Sequence, residues 1–335
     1  MDNSSTFICG RSALEIYRSP ADGARLARLL NQEQSRLASP CTQSGCNVTP
    51  QAPRRDLASA LAEMFGVPLP LEALVCEPGR RRLSTYTRTV LDTDPFHLAA
   101  FIEIERGVFV ARPELVYYQL TKGATIARAW MLASELCGRY ALDSHAETGM
   151  HKRPPLTSPD RLASFFRLSR SCRSPSATSR AIEHMRPGAR SPKEAELAAL
   201  IALPRRIGGR GIPGVTLNRD IELSPEAALI ARRERLEGDV FIESIMQDVE
   251  YDSNAHHLSR EAHERDERKA NALRMMGIDL TTVTEGQLMS WNTIDAILAD
   301  LCARGRFHRH PETQGIRDAQ QRLWRELLSL DATAR

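Results

Sequence analysis

Lysine is scarce in this chain. Only 4 of its 45 basic residues are lysine, so the other 41 are arginine. A genome of biased base composition would produce the same imbalance, but the scarcity also constrains chemistry. After the acids at positions 239–252, Lys269 is the single lysine that follows. Any reaction in this part of the chain that needs an ammonium group must therefore use Lys269.

Paired cysteines and long apolar runs are also missing. The seven cysteines are odd in number and scattered, and the absence of a C-x-x-C pattern argues against a zinc site. The longest clean apolar run, Leu197–Leu203, is far shorter than the ~20 residues that a membrane helix needs. The first residues, MDNSSTFICG, lack the charged and then apolar segments of a signal peptide. These absences predict a cytoplasmic protein with no membrane association.

Composition and charge predict two folded domains. The chain has 335 residues, of which 42% are hydrophobic and 26% charged, as in soluble folded proteins. The segment Arg186–Arg190 is the best boundary, which gives domains at residues 1–188 and 189–335. Residues 1–190 carry 25 basic and 18 acidic residues (net +7), whereas residues 191–335 carry 20 and 24 (net −4). A basic first half would suit contact with DNA, although a solvated arginine-rich surface explains it equally well.

Three acids in the second half favour a metal site. Asp239, Glu250 and Asp252 lie in two short apolar runs, and a hairpin that pairs Asp239 with Asp252 would place all three on one face. Three carboxylates on one edge repel one another unless a cation holds them, and hard oxygen ligands suit Mg²⁺, with Mn²⁺ as a substitute. Such a site supports metal-dependent phosphodiester hydrolysis. A structural ion pair to a helix arginine is the alternative interpretation for Asp239 and Glu250.

A histidine pair and a highly charged helix follow these acids. His256 and His257 are candidates for a general base or for neighbours of the metal, or they are polar residues that approach the helix. Ser259 is the expected N-cap of the helix, and Gly277 fits the position after its last turn. Thr284-Glu285-Gly286-Gln287 has the spacing of a capping box and is predicted to start the last helical region. The helix leaves basic side chains, including Lys269, free to face a phosphate backbone.

A complete capping box opens the second domain. Ser191-Pro192-Lys193-Glu194 has Ser at the cap, Pro at the first helical position and Glu at the third. Glu194 is therefore a candidate for helix capping, for a supporting role at a metal site, or for both. The glycine-rich segment at 205–214 lacks the G-x-x-x-x-G-K-[ST] pattern, so it is not a nucleotide-binding loop. We expect it to be a flexible loop that lies against DNA. Pro225–Leu236 is predicted to form an arginine-rich helix before Asp239.

The order of these features resembles the Vsr-like branch of the PD-(D/E)XK endonuclease superfamily over about residues 191–288. Asp239 matches the first acid of that pattern, Glu250 and Asp252 match its Glu-x-Asp, and His256 or His257 matches its histidine. Two departures are present: Ser253 replaces the usual glycine, and an acid stands where the superfamily has the lysine of Glu-x-Lys. The resemblance implies an α/β domain in which helices flank a mixed sheet like that of restriction endonucleases. It also implies Mg²⁺-dependent cleavage of DNA.

Two local patterns in the first half of the chain predict secondary structure. Glu105-Arg106-Gly107 indicates a tight hairpin, and Ala124–Tyr140 is predicted to be a long helix.

A weaker resemblance concerns the first half of the chain. Residues at about 70–140, around Gly107-Val-Phe-Val-Ala-Arg-Pro-Glu-Leu, are similar to abortive-infection-type antitoxins and related transcriptional regulators. This resemblance implies a smaller α+β domain that contacts DNA or a protein partner. The alternative to an active endonuclease is thus an antitoxin-like or DNA-binding regulator whose nuclease fold no longer cleaves.

Overall fold

The chain forms an α/β fold in which helices pack on mixed β-sheets. A computed structural model describes residues 5–32, 50–92, 100–168, 177–252, 260–307 and 312–334. Contacts divide the chain into two units. Unit 1 comprises residues 1–125 and 135–183, and unit 2 comprises residues 126–134 and 184–335. The division after Glu183 lies close to the boundary expected from the sequence, but residues 126–134 belong to the second unit.

Unit 1 combines a mixed sheet with several helices and a small hairpin. Its core is formed by hydrophobic residues of strands and helices, and the segments Val108–Ala111 and Leu115–Tyr118 are buried at every position, as expected for elements that are covered on all sides. The elements in chain order are β1 (Thr6–Ile8), α1 (Gly10–Arg18), α2 (Pro20–Gln32), α3 (Arg55–Phe65), β2 (Leu71–Val75), β3 (Thr87–Leu91), β4 (Phe101–Glu105), β5 (Val108–Ala111), α4 (Pro113–Thr121), α5 (Ile126–Leu136), β6 (Tyr140–Leu142), β7 (Met150–Lys152), α6 (Pro159–Leu168) and α7 (Ala177–His184). Of these helices, α5 belongs to unit 2 as far as Ser134, and α7 belongs to unit 1 except for its last residue, His184.

Among the described residues, five strands of unit 1 form one sheet in the order β3-β2-β1-β5-β4. The pairs β1–β5 and β2–β3 are parallel, whereas β1–β2 and β4–β5 are antiparallel. The tight hairpin expected around Glu105-Arg106-Gly107 is the β4–β5 turn, where Gly107 has a φ of 75°. The helix predicted to run from Ala124 to Tyr140 is shorter, because Tyr140 already belongs to the β6–β7 hairpin.

Unit 2 contains the predicted capped helix, the acidic strands and the charged helix. Ser191 accepts a hydrogen bond from the backbone N of Glu194 at 3.2 Å, so the predicted N-cap is confirmed. The elements are α8 (Pro192–Ala202), β8 (Val215–Glu222), α9 (Pro225–Ala231), β9 (Arg235–Ile242), β10 (Gln247–Asp252), α10 (Arg260–Met275), β11 (Asp279–Thr284), α11 (Glu285–Met289), α12 (Trp291–Gly305) and α13 (Gln314–Ala334). The capping box predicted at Thr284 is complete, with Gln287 as its reciprocal partner.

Four strands of unit 2 pair in the order β11-β10-β9-β8 within the described part of the chain. Strands β8, β9 and β10 form an antiparallel meander, and β11 returns parallel to β10 after α10. A buried apolar cluster joins β8, β9, α9 and α10, with Phe241 and Leu273 among its members. Val240 and Ile242 alternate with Phe241 along β9 and are fully buried too, so this strand is covered on both sides.

Two expectations about unit 2 are wrong. The helix predicted to extend from Pro225 to Leu236 ends at Ala231, because Arg232 adopts a left-handed conformation and Arg235 starts β9. The segment at 205–214 is not a flexible loop. Its backbone N–H groups at Arg210 and Gly211 donate to carbonyls of α8 and its C-cap, and the Arg210 side chain is 4% exposed between Asp295 and Glu312.

The glycines of this segment are required by close packing. A Cβ at Gly209 would lie 2.0 Å from the carbonyl oxygen of Leu203, which is sterically impossible without movement of the backbone. Gly208 has a φ of 108° and lies against α13. The glycine-rich composition therefore serves packing and not mobility.

Among the helices of the described residues, none combines the length and the apolar character that a membrane span requires.

Candidate active site

Asp239 and Glu250 lie on adjacent antiparallel strands near the middle of the unit 2 sheet. The observed pairs are Asp248 with Phe241 and Val249 with Val240. Continuing this register places Glu250 opposite Asp239, so the predicted pairing of Asp239 with Asp252 is wrong by two residues. Asp239 is half-buried, and its Oδ2 accepts a hydrogen bond from the backbone N of Tyr251 at 3.3 Å. Burial raises the pKa of Asp239, and the charge of Lys269 and this hydrogen bond oppose the shift only in part.

Lys269 of α10 supplies the positive charge at these acids. Its Nζ forms an ion pair with Oε1 of Glu250 and donates a hydrogen bond to the carbonyl oxygen of Glu237 at 2.7 Å. The Lys269 and Glu250 side chains are 24% and 20% exposed, so solvent reaches the pair from one side. The single lysine that follows the acids in the sequence is therefore placed against one of them, although it comes from a helix and not from the Glu-x-Lys position.

Asp248 is a further acid that interacts electrostatically with Lys269 and Asp239, and it is not among the site residues predicted from the sequence. Its side chain is completely buried, and neither carboxyl oxygen has a hydrogen bond of normal geometry. Burial raises the pKa of Asp248 to about 7, while Lys269 opposes the shift and Asp239 adds to it. A Cβ at Gly238 would lie 2.7 Å from Oδ1 of Asp248, so only glycine leaves room for this carboxyl group.

Glu194 of α8 lies near Asp239, next to an irregularity in β8. The ladder between β8 and β9 pairs Leu217 with Val240 and Arg219 with Gly238, and it omits the intervening Asn218. Asn218 has a φ of 48°, which asparagine tolerates better than most residues. Its amide donates to Oε2 of Glu194 at 2.5 Å and to the carbonyl of Gly188 at 3.1 Å.

This contact gives Glu194 more than a capping role. Its carboxylate also accepts from the backbone N of Arg190 at 2.8 Å, and the residue is 7% exposed. Burial raises the pKa of Glu194; the hydrogen bonds from Arg190 and Asn218 lower it, and the nearby charge of Asp239 raises it further. The reciprocal half of the predicted capping box is not formed, because the Glu194 carboxylate accepts from Arg190 N and from Ser191 Oγ and not from the backbone N of Ser191. Glu194 thus stabilises the start of α8 in a different way, and it interacts electrostatically with Asp239.

The remaining predicted site residues have different positions. Asp252 is half-buried at the end of β10, where it pairs with Thr284 of β11. His256 and His257 lie outside the described residues, so their predicted roles stay predictions. The side chains that the sequence analysis missed are Asp248, Asn218 and Arg190, which pairs with Glu237. An acid directly before the apolar Val249 and an asparagine inside an alternating strand were the signals that could have indicated Asp248 and Asn218.

The described part of the site contains two carboxylates, Asp239 and Glu250, and the ammonium group of Lys269. Within the described residues, no group of three or more His, Cys, Asp or Glu side chains is arranged to hold a metal ion, so the predicted triad with Asp252 is not assembled there. Mg²⁺ commonly takes only one or two carboxylates and keeps several waters or substrate oxygens. Asp239 and Glu250 meet that smaller requirement, and Lys269 is the cation that a metal would have to displace from Glu250.

The buried carboxyl of Asp248 predicts a measurable pH dependence of stability. Because the pKa of Asp248 is raised from 3.8 to about 7 on folding, the folded state holds the proton more tightly than the unfolded state. The free energy of unfolding should therefore fall as the pH rises from about 4 to about 7. The pKa values of Asp239 and Glu194 are raised as well, so these two residues change the free energy of unfolding in the same direction. A variant that changes Asp248 alone is needed to isolate its contribution.

Asp248→Asn removes this titration while it keeps the shape of the side chain. We expect the unfolding free energy of the variant, relative to that of wild type, to increase as the pH rises from about 4 to about 7. Urea unfolding at several pH values measures the difference. Asp220→Asn, at an exposed strand position paired with Arg235, is the control and should show no such trend. Parallel pH curves for wild type and Asp248→Asn would contradict the assignment.

Comparison with family models, with curated proteins and with solved structures finds no match to this chain. The geometry of the site is therefore the basis on which a function can be proposed.

Proposed function

We propose that unit 2 is a Mg²⁺-dependent DNA endonuclease whose site is formed by Asp239, Glu250 and Lys269. The observation that carries the proposal is the convergence of two half-buried carboxylates on adjacent strands with the ammonium group of Lys269. Burial of several acids in one region costs stability, and functional sites are where such arrangements are commonly found. An ordinary structural ion pair would not need Asp239 and Asp248 beside it.

The side chains have distinct roles in this proposal. Asp239 and Glu250 would hold the cation, which when bound supplies charge neutralisation at the phosphate and activates water. When Glu250 holds the cation, Lys269 would be free to pair with a phosphate oxygen and to stabilise the negative charge that develops there. Asn218 and Glu194 fix the approach of α8 to Asp239 through their hydrogen bond. His256 and His257 remain predicted candidates for the general base.

The direct test is plasmid nicking by the purified full-length chain. We expect relaxed and then linear plasmid to accumulate with Mg²⁺ or Mn²⁺, and no product in EDTA. Activity that persists in EDTA would exclude the metal-dependent mechanism. Activity that survives a Lys269→Met substitution unchanged would exclude the role assigned to Lys269.

Metal binding gives a second prediction, which does not require turnover. A cation that binds only the folded state raises the melting temperature by mass action. We expect Mg²⁺ or Mn²⁺ to stabilise the wild type and to have a much smaller effect on Asp239→Asn. Differential scanning calorimetry with and without metal measures the shift, with Asp220→Asn as the matched control. Equal metal-induced shifts in all three proteins would remove Asp239 from the site.

A non-cleaving regulator is the second candidate, and one observation favours it. Glu250 is already neutralised by Lys269, and the described residues lack a three-ligand group. A domain of this kind would bind DNA, or a protein partner through unit 1, without hydrolysis. DNA binding by wild type together with no cleavage in either metal would favour this function over the endonuclease.

A further inference from the structure

A basic cleft in unit 1 has no role in the cleavage proposed above. The cleft has a volume of about 400 Å³, which is within the range of small-ligand sites. One wall is the start of α3, and the other is the turn that precedes β3. Its lining residues are Pro53, Arg54, Arg55, Arg82, Leu83, Ser84, Tyr86 and Thr87.

The arginines of this cleft are available to a ligand. Arg54, Arg55 and Arg82 are all exposed, and within the described residues none of them forms an ion pair with a carboxylate. Asp56 is the acid next to them in sequence, and it is exposed as well. Three guanidinium groups around one concavity make a strongly positive site, and guanidinium groups bind phosphate oxygens through paired hydrogen bonds.

An aromatic ring completes the chemistry of the cleft. The Arg55 guanidinium stacks on the Tyr86 ring at 4.6 Å from its centroid. Leu83 beside them is 82% exposed, which is unusual for a large apolar side chain. A ring, a guanidinium plane and an apolar side chain are the surfaces on which an unpaired base stacks.

The two walls are held together before any ligand binds. Thr87 Oγ1 donates to the carbonyl of Pro53 at 3.2 Å, which ties the turn to the start of α3. Ser84 Oγ accepts from the backbone N of Thr87 at 3.0 Å, and the backbone N of Thr89 donates to the carbonyl of Arg82 at 2.9 Å. Because these bonds already order the turn, binding does not require a ligand to organise the site.

We propose that this cleft binds single-stranded nucleic acid, with phosphates on Arg54 and Arg82 and an unpaired base against Tyr86 and Leu83. A positive groove combined with a stacking ring is the arrangement that single-strand binding requires. A duplex keeps its bases stacked internally, so it could use the arginines but not the ring and the leucine. The proposal is independent of the metal site in unit 2.

Binding is measured by fluorescence anisotropy of a labelled oligothymidylate with the full-length protein in EDTA. We expect Arg54→Gln and Arg82→Gln each to weaken binding and to lower the slope of log affinity against log salt by about 0.7 for each phosphate that the variant no longer neutralises. Tyr86→Leu should weaken binding about tenfold, and Tyr86→Phe should bind like wild type because it keeps the ring. Arg106→Gln, at an exposed turn outside the cleft, removes the same charge and should have little effect.

The outcomes separate this site from general electrostatic attraction. If Arg54→Gln, Arg82→Gln and Tyr86→Leu bind no more weakly than Arg106→Gln, the cleft is not the binding site. If an unlabelled duplex competes as well as the single strand, the base-stacking part of the proposal is wrong. Thermal melts identify any variant that fails to fold, and the arginine variants at exposed positions then carry the test. Metal-dependent nicking without oligothymidylate binding would overturn this proposal alone.

Discussion

We expect Glu250→Gln to lower Mg²⁺-dependent DNA cleavage by at least about 100-fold, which is the usual cost of losing one electrostatic group at a reacting centre. The substitution keeps the size and polarity of the side chain but removes the charge that would hold the cation. Initial rates of plasmid nicking by wild type and variant measure the loss. Glu222→Gln removes the same charge from an exposed position on β8 and should cleave like wild type.

The stability of the same variant tests whether Glu250 is catalytic or structural. Loss of the ion pair with Lys269 should cost only about 1 kcal/mol, because solvent screens the pair and Lys269 keeps its hydrogen bond to the Glu237 carbonyl. A purely structural role would instead give a loss of about 3 kcal/mol or more. A large loss of stability, together with no cleavage by wild type on single- or double-stranded DNA, would exclude the enzyme and favour the regulator.

The largest stability effect is expected in unit 1, where Glu135→Gln should cost about 3 kcal/mol or more. Both oxygens of the buried Glu135 carboxylate accept from Arg18, each at 2.8 Å, and one also accepts from the backbone N of Leu142 at 3.2 Å. The amide cannot reproduce this two-pronged contact with a guanidinium group. Breaking such a pair leaves a charge that is only 22% exposed without its main partner.

Glu15→Gln is the matched control for this prediction. Glu15 also pairs with Arg18, at 3.3 Å, but its side chain is 26% exposed, so its loss should cost about 1 kcal/mol or less. Urea unfolding of the two variants measures the difference. Burial raises the pKa of Glu135, but the charges of Arg18 and Arg153 and the hydrogen bonds from Arg18 and Leu142 together more than offset this, so the pKa lies below its ordinary value. The stability that Glu135 supplies is therefore present above about pH 4.5 and is lost as the pH falls further. Equal losses in the two variants at neutral pH would contradict the assignment.

Local patterns in the sequence predicted several elements correctly. The caps at Ser191 and Thr284, the glycine that ends α10 and the hairpin at Gly107 depend on residues only a few positions apart. Their hydrogen bonds form within one turn of the chain, so composition at fixed spacing is enough to identify them. The α/β class, which the resemblance over about residues 191–288 implied, is also observed.

Features that depend on distant residues were predicted less well. The glycine-rich segment at 205–214 was interpreted as mobile because its composition is that of a loop. Its packing depends on α8 and α13, and Arg210 reaches Glu312 across about a hundred residues of sequence. A closely packed segment and a mobile segment can have the same glycine-rich composition, because the sequence alone does not show which helix will cover a glycine.

By itself, the sequence determined that Asp239 and Glu250 lie on neighbouring strands and that Lys269 is the one lysine following them. Only the tertiary structure decided the register, which places Glu250 rather than Asp252 opposite Asp239, and the direction of α10, which brings Lys269 to Glu250. It also decided that Asp248 is buried against Gly238 and that Asn218 leaves its ladder to bind Glu194. The physical reason is that a shift of two residues preserves the alternation of side chains along a strand. The sequence pattern is identical in both registers, and only packing against the helices selects one of them.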